Sequence, residues 1–442
     1  MQSLDGLGSE NGPDKASWAD GMKARTGNEA LWAGGMDLVR RFHAGGYEAY
    51  LVGGCVRDRL LGRPIGDIDI ATSALPEQVE ALFDRTIPTG LRHGTVTVVQ
   101  GGLTYEVTTF RTESGYGDAR RPDEVVYVRD IREDLARRDF TINAMACGLD
   151  GECIDPYDGR SDLARRVVRC VGDSRQRFGE DALRMVRAIR FAAALEFRVA
   201  KSVWRGIRTQ ETRLRHVAME RIGAEWDKMM AGPHPGRACE LLVRSGLLAW
   251  LREPLPAVNG AALKTGCGVD KSALDSVRQL DELAEPDVRW TAFFAVAGYG
   301  LQEALEACRT LRMSGKRAAR IAAGVAFRCR MKAGSSEGVP GHAAFMMAVL
   351  DLGRQAAQDW LAIGAGCTAE CRPWLEELPA DSVKQLAVRG DELAMRLHRK
   401  PGAWVAPALR KLLEDVALRR VANEKEALFQ AASGYVDDGD QA

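Results

Sequence analysis

Asp67 and Asp69 flank a single isoleucine, shortly after a Gly53-Gly54 pair. On a β-strand, side chains at i and i+2 share a face. The run Asp67-Ile68-Asp69-Ile70-Ala71 therefore predicts a strand that presents both acids to one side and sends Ile68 and Ile70 into a core. Two neighbouring carboxylates repel each other unless cations stand between them. A pair of Mg²⁺ ions about 3.5–4 Å apart satisfies both acids and clamps the attacking and leaving oxygens of an in-line displacement. The plainer alternative is two solvent-facing acids on an edge strand. The glycines argue for the chemistry. A Gly-Gly turn between the strand Glu48–Val52 and the short helix Val56–Leu61 lets phosphate approach backbone N–H groups. Gly54 and Arg57 then lie where a triphosphate is held, and Arg57 can bond it in bidentate fashion. Taken alone, the glycines are only a tight turn.

Further residues join this pattern. Arg137-Arg138-Asp139-Phe140-Thr141-Ile142-Asn143 sets two cations before a helix start. Arg138 suits triphosphate, and Asp139 and Asn143 suit ribose hydroxyls. Glu106, between Tyr105 and Val107, is either a third acid of the metal site or an ordinary exposed strand residue. Asp181, Arg184, Arg187 and Arg190 recur every three residues in a helical run and predict one face. They can pair among themselves on a solvated surface. They can also read a base. Cytosine and adenine each place an amino donor beside a ring-nitrogen acceptor. An Asp accepting from the first and an Arg donating to the second selects both bases. Uracil and guanine reverse the polarity and leave buried groups unpaired, at about 1–3 kcal/mol each.

The elements that must position these residues divide the chain. Residues 1–26, rich in Gly, Ser, Asp and Asn, read as a disordered leader, and 27–44 as an amphipathic helix. Residues 27–150 read as a small α/β head. In it Thr95–Val99 and Thr104–Phe110, β-branched and alternating, form a hairpin about Gly101-Gly102. From about residue 174 apolar spacing is helical, with the acidic last residues frayed. The 442 residues carry 61 Lys+Arg against 61 Asp+Glu, so net charge names no partner. Forty-nine of the 61 basic residues are Arg, which favours bidentate phosphate contacts. Between Arg160 and Arg221 sixteen basic residues face seven acidic ones, as on a solvated helical face or an RNA-backbone surface. Ten cysteines without CxxC spacing and six unclustered histidines argue against zinc and disulfide frameworks. No signal-peptide profile and no apolar run of membrane length is seen, and the expectation is a cytoplasmic enzyme.

Over Ala49–Met230 the sequence resembles the class II CCA-adding enzymes, tRNA nucleotidyltransferases that share a catalytic head with bacterial poly(A) polymerases. The resemblance rests on LVGGCVRDRLLGRPIGDIDIAT, TGLRHGTVTVV, YEVTTFR, RRDFTINAMA, DPYDG, GEDALRMVRAIRF and ERIGAEWDKMM in that order. It implies an α+β fold, with a small polymerase-β-like mixed-sheet head over 27–150 followed by an all-helical neck over 151–230 and a helical body and tail over 231–442. It implies Asp67 and Asp69 as catalytic Mg²⁺ ligands, and Gly54, Arg57 and Arg138 as nucleotide-binding residues. Asp181, Arg184, Arg187 and Arg190 fall in a nucleotide-reading neck, while Glu220, Arg221 and Glu225 brace a neck helix. The implied reaction adds C, C and A to the 3′ end of tRNA from CTP and ATP. Poly(A) synthesis, partial tailing, or a catalytically retired RNA-binding protein are the alternatives. Thr89–Val96 and the Arg120-Arg121/Asp123-Glu124 element favour complete C, C, A addition to tRNA.

Overall fold

The computed structural model describes residues 15–90, 94–114, 124–256, 271–333, 341–364 and 370–439. The described chain forms two compact units that divide between His216 and Val217.

In the first unit, helix α1 (Lys15–Ala44) precedes strand β1 (Ala49–Val52), helix α2 (Gly54–Leu60), strand β2 (Asp69–Thr72) and helix α3 (Pro76–Leu82). Strands β3 (Thr86–Gly90), β4 (Thr95–Gln100) and β5 (Leu103–Thr109) follow. The pair β6 (Arg111–Ser114) and β7 (Glu124–Tyr127) stands as a separate antiparallel ribbon. Helix α4 (Ile131–Ala136) leads through a 3-10 turn at Thr141–Asn143 to β8 (Ala146–Cys147) and β9 (Cys153–Ile154). One seven-stranded sheet runs β3-β4-β5-β2-β1-β8-β9. Its β2/β5 pair is parallel and the others are antiparallel, which makes the head a mixed sheet as expected. The β4/β5 hairpin turns at Gly101-Gly102, whose φ values of 60° and 79° explain two glycines there.

Helix α1 backs the sheet. Leu38, Val39 and Phe42 are fully buried. At Gly34 a Cβ would fall 2.0 Å from the Tyr105 hydroxyl, which leaves no room for a side chain, and at Gly35 it would fall 3.0 Å from Ile68 Cγ2, a tight contact. The helix begins at Lys15, inside the stretch expected to be a leader.

Helix α5 (Gly159–Arg165), strand β10 (Val167–Val168), helix α6 (Ser174–Glu180), helix α7 (Leu183–Ala194), strand β11 (Arg198–Val199) and helix α8 (Lys201–Gln210) complete the unit. On α7, Leu183, Met185, Val186, Ala188 and Ile189 are buried, while positions 184, 187 and 190 stay half-exposed.

The second unit is helical throughout its described residues. Trp226, Trp290, Phe293 and Phe294 pack edge-on and tilted in one core. Phe327, Phe345 and Trp360 centre another. Arg317 bridges Asp227 and Asp287, at 2.8 Å each, tying three helices together. The expected fraying at the C-terminus is not seen up to Gly439, where the last helix ends. No described helix is long and apolar enough to cross a membrane, and no disulfide joins the described cysteines.

Candidate active site

The acids come first. Strand β2 begins at Asp69, so Asp67 lies in the lead-in and not on the strand as expected; its side chain is exposed and that of Asp69 half-buried. Ile68 and Ile70 are buried as predicted, each 1% exposed. The β2/β5 register sets Asp69 directly beside Glu106. Burial pushes the Asp69 carboxyl up to about 6; Arg138 opposes this, and Asp67 and Glu106 reinforce it by repulsion. Among the described residues no three acidic, His or Cys side chains form a ready-made metal cage. Magnesium does not need one, since it is commonly held by one or two carboxylates together with substrate phosphates.

The Gly53 turn lies against these acids. Gly53 has φ 76°, a conformation that favours glycine. A Cβ there would fall 2.9 Å from Arg138 Nη1 and 3.6 Å from Asp69 Oδ2. The glycine thus leaves open a small cradle with an acid on one side and a guanidinium on the other. Gly54 begins α2, and a Cβ on it would come 3.7 Å from Arg57 Nη2. Arg138 donates from Nη2 to Asp134 at 3.2 Å, while its buried Nε finds no partner within the protein. Asp134 also accepts from Arg137 at 2.8 Å and is held below the usual carboxylate range; burial works against its charge, and Arg138 and Arg137 outweigh it. Sequence reasoning passed over Asp134, although its spacing of four from Arg138 on α4 was the available signal.

Arg57 is more deeply engaged than predicted. It donates to Asp58 at 2.8 and 3.0 Å and to Asn143 Oδ1 at 2.6 Å. Asn143 in turn donates to Asp139 at 3.2 Å, and Arg187 donates to the other Asp139 oxygen at 2.9 Å. Asp139 and Asn143, expected to meet ribose hydroxyls, are instead buried and spent on one another and on these arginines. Burial works against the Asp139 charge, yet Arg187, Arg184 and the hydrogen bonds from Arg187 and Asn143 bring its carboxyl down to about 2.

The helical row assembles with one change. Asp181 is extended, between α6 and α7, and its carboxylate accepts from the Leu183 N–H at 3.0 Å. It therefore precedes the helix that carries Arg184, Arg187 and Arg190. Arg184 pairs with Glu180 at 2.8 Å and donates to the Arg137 carbonyl at 3.1 Å. Arg190 lies over the Phe191 ring at 4.1 Å. Positions 181, 184, 187 and 190 are all half-exposed, and Arg184 and Arg187 reach the segment that supplies Arg138. In the second unit Glu225 is buried with Lys228 at 3.6 Å, and the exposed Glu220 lies 3.6 Å from Arg312. Arg120, Arg121 and Asp123 of the loop element, and residues 91–93 of the Thr89–Val96 motif, lie outside the described residues.

A family model described as "Poly A polymerase head domain" matches residues 49–169. A second, "Probable RNA and SrmB- binding site of polymerase A", matches 196–257, and a tRNA nucleotidyltransferase domain 2 model matches 282–432. The CCA-adding enzyme of Geobacillus stearothermophilus is 38% identical over 405 residues, spanning 89% of this chain and 95% of that protein. The Lactiplantibacillus plantarum CCA-adding enzyme is 35% identical over 90% of this chain and 95% of its own length. A crystal structure of the Bacillus stearothermophilus CCA-adding enzyme in complex with CTP superposes with a TM-score of 0.75 at 34% identity, covering 92% of this chain and 98% of that one. With relatives of that identity matched almost end to end, on top of a mixed-sheet head that sets paired acids beside a glycine turn, this chain belongs to the CCA-adding enzyme family.

Proposed function

We propose that the protein adds C, C and A to the 3′ end of tRNA from CTP and ATP, releasing pyrophosphate. The observation that carries this reading is Asp69, held among Asp67, Glu106 and Arg138 at the open cradle of Gly53. A half-buried acid surrounded by acids, with its carboxyl pushed up to about 6, is under-neutralised in a way that a divalent cation relieves. Asp67 and Asp69 would hold Mg²⁺, which when bound lowers the pKa of an attacking hydroxyl and neutralises charge on the phosphates.

The remaining work falls to side chains of this chain. Arg138, with a buried Nε lacking a protein partner and Nη1 against the glycine, binds and orients the triphosphate. Gly53 and Gly54 keep the approach free of side chains. Asp134 fixes Arg138 from behind. Arg57, Asn143, Asp139 and Arg187 form one continuous chain that keeps the phosphate side and the base side in register. Asp181 accepts from the exocyclic amino group of C or A and Arg184 donates to the ring nitrogen, already oriented by Glu180. The names of the relatives, and the CTP bound by the Bacillus stearothermophilus enzyme, support the same substrate class.

The test is to sequence the products formed on tRNA lacking its 3′ end, with CTP, ATP and Mg²⁺ supplied. Complete C, C, A ends are expected; runs of A, or stops after two C, would replace the proposal with poly(A) synthesis or partial tailing. Asp67→Ala should lower incorporation on the order of 10³-fold or more, the loss expected when several kcal/mol of charge stabilisation disappear. Gel-shift affinity for tRNA should change little.

A further inference from the structure

Phe191 is 7% exposed, and three guanidinium groups gather around its ring. Arg57, from α2, stands 5.2 Å from the ring centroid. Arg187 stands at 5.3 Å and Arg190 at 4.1 Å, both from α7. On another side Phe140 packs edge-on, 5.7 Å away at 77°. Phe140 directly follows Asp139, so the ring also rests against the segment that supplies Arg138.

Three like charges gathered this closely repel one another. Asp58 compensates Arg57, and Asp139 compensates Arg187. The ring adds a second kind of compensation. Its faces carry partial negative charge, and a planar guanidinium stacks on such a face within about 6 Å. An aliphatic side chain of equal bulk fills the space but offers no such charge. The juxtaposition is selective as well. The same ring meets one arginine from the glycine-turn helix and two from the helix that carries Arg184.

We infer that Phe191 is a positioning residue whose ring holds Arg57, Arg187 and Arg190 at a fixed spacing and so couples triphosphate binding to base selection. This deepens the functional proposal above and rests on it. Nothing in the inference places the ring against substrate. Its effect passes through the arginines.

The decisive experiment grades the ring's charge without changing its shape. Full-length protein carrying 4-fluoro-, 3,5-difluoro- or 3,4,5-trifluorophenylalanine at position 191 is compared with the unsubstituted protein. CTP binding is measured without tRNA by titration calorimetry, and CMP and UMP insertion on tRNA lacking its 3′ end gives kcat and KM. KM for CTP should climb stepwise with fluorine number, reaching about 10-fold at three fluorines, as the cation–π attraction fades. UMP insertion relative to CMP should climb with it, while melting temperature stays level. Phe191→Leu should show the full effect and Phe191→Tyr should restore near-normal values. A flat fluorine series, or Phe191→Tyr as defective as Phe191→Leu, would overturn the inference. Failure of the functional proposal looks different: the unsubstituted protein itself would not build complete C, C, A ends, whatever the series at position 191 shows.

Discussion

Asp139 is the side chain on which most of the site's internal bonding converges. It accepts from Arg187, Asn143 and the Phe140 N–H, and its carboxyl is drawn down to about 2 from an ordinary value of 3.8. A depressed carboxylate stabilises the fold above its unfolded-state pKa, and the stabilisation disappears as pH falls through the folded-state pKa. The shift corresponds to about 2 kcal/mol, present in full above about pH 4 and lost on the way to about pH 2. Asp139→Asn keeps the shape and removes the charge. It should lower stability by about 2 kcal/mol at pH 7, and the gap to wild type should close between pH 4 and 2. Urea midpoints across that range check this; a gap independent of pH would contradict it. The role of Asp139 was not legible in its own neighbourhood. Its partner Arg187 is 48 positions away, and Arg57 reaches Asn143 across 86. Reading the segment in isolation leaves both polar side chains free for ribose, because only the tertiary fold brings the arginines to them.

Among the elements, the turn from β1 into α2 decides what the site can hold. Gly53→Ala forces a side chain into positive φ and aims it at Arg138 Nη1, 2.9 Å from the new Cβ. Gly62 is a natural control, since its φ is 66° and nothing lies within 4 Å of an added Cβ. Both substitutions should cost about 1 kcal/mol of backbone strain, seen as a similar drop in melting temperature. Only Gly53→Ala should also raise KM for CTP and ATP, by about 10-fold or more if it displaces a charge-assisted contact. Equal nucleotide kinetics in the two variants would remove the cradle from the mechanism. The turn, the β4/β5 hairpin and the buried pair Ile68 and Ile70 were all legible, because glycine pairs and period-two alternation are local signals. Two element boundaries were not. Helix α1 starts at Lys15 in a stretch without apolar periodicity, and is held to the sheet farther along by Leu38, Val39 and Phe42. Asp181 continues the every-third spacing of Arg184, Arg187 and Arg190, so periodicity alone could not reveal that it caps the helix from outside.

Across the full chain, a net charge of zero conceals an arginine-heavy basic set. If tRNA is gripped through its phosphates by such residues, each neutralised phosphate releases counterions. Affinity should then fall linearly in log–log terms as salt rises, by roughly 10³-fold between 50 and 200 mM if about six phosphates are contacted. Titrating tRNA binding against KCl measures the slope; a slope near zero would exclude phosphate-led recognition. In the second unit, Arg317 offers a separate check on stability. Arg317→Met leaves Asp227 with the Trp290 N–H and Asp287 with the more distant Arg320, and should cost about 1 kcal/mol for pairs this exposed, read as a lower urea midpoint, while CTP affinity is retained. The helical character of this unit was legible from spacing. Its ion-pair cluster was not, since Asp227 and Arg317 are 90 positions apart.

Gly34 and Gly35 tie helix α1 to the strands that carry the acids. A methyl group at Gly34 collides with Tyr105, whose chain neighbour is Glu106, and one at Gly35 presses on Ile68, which sits between Asp67 and Asp69. Loss-of-function alleles should therefore surface in helix α1, which carries none of the acids or arginines of the site. Their second-site suppressors should be smaller residues at 68 or 105, not changes among the acids themselves.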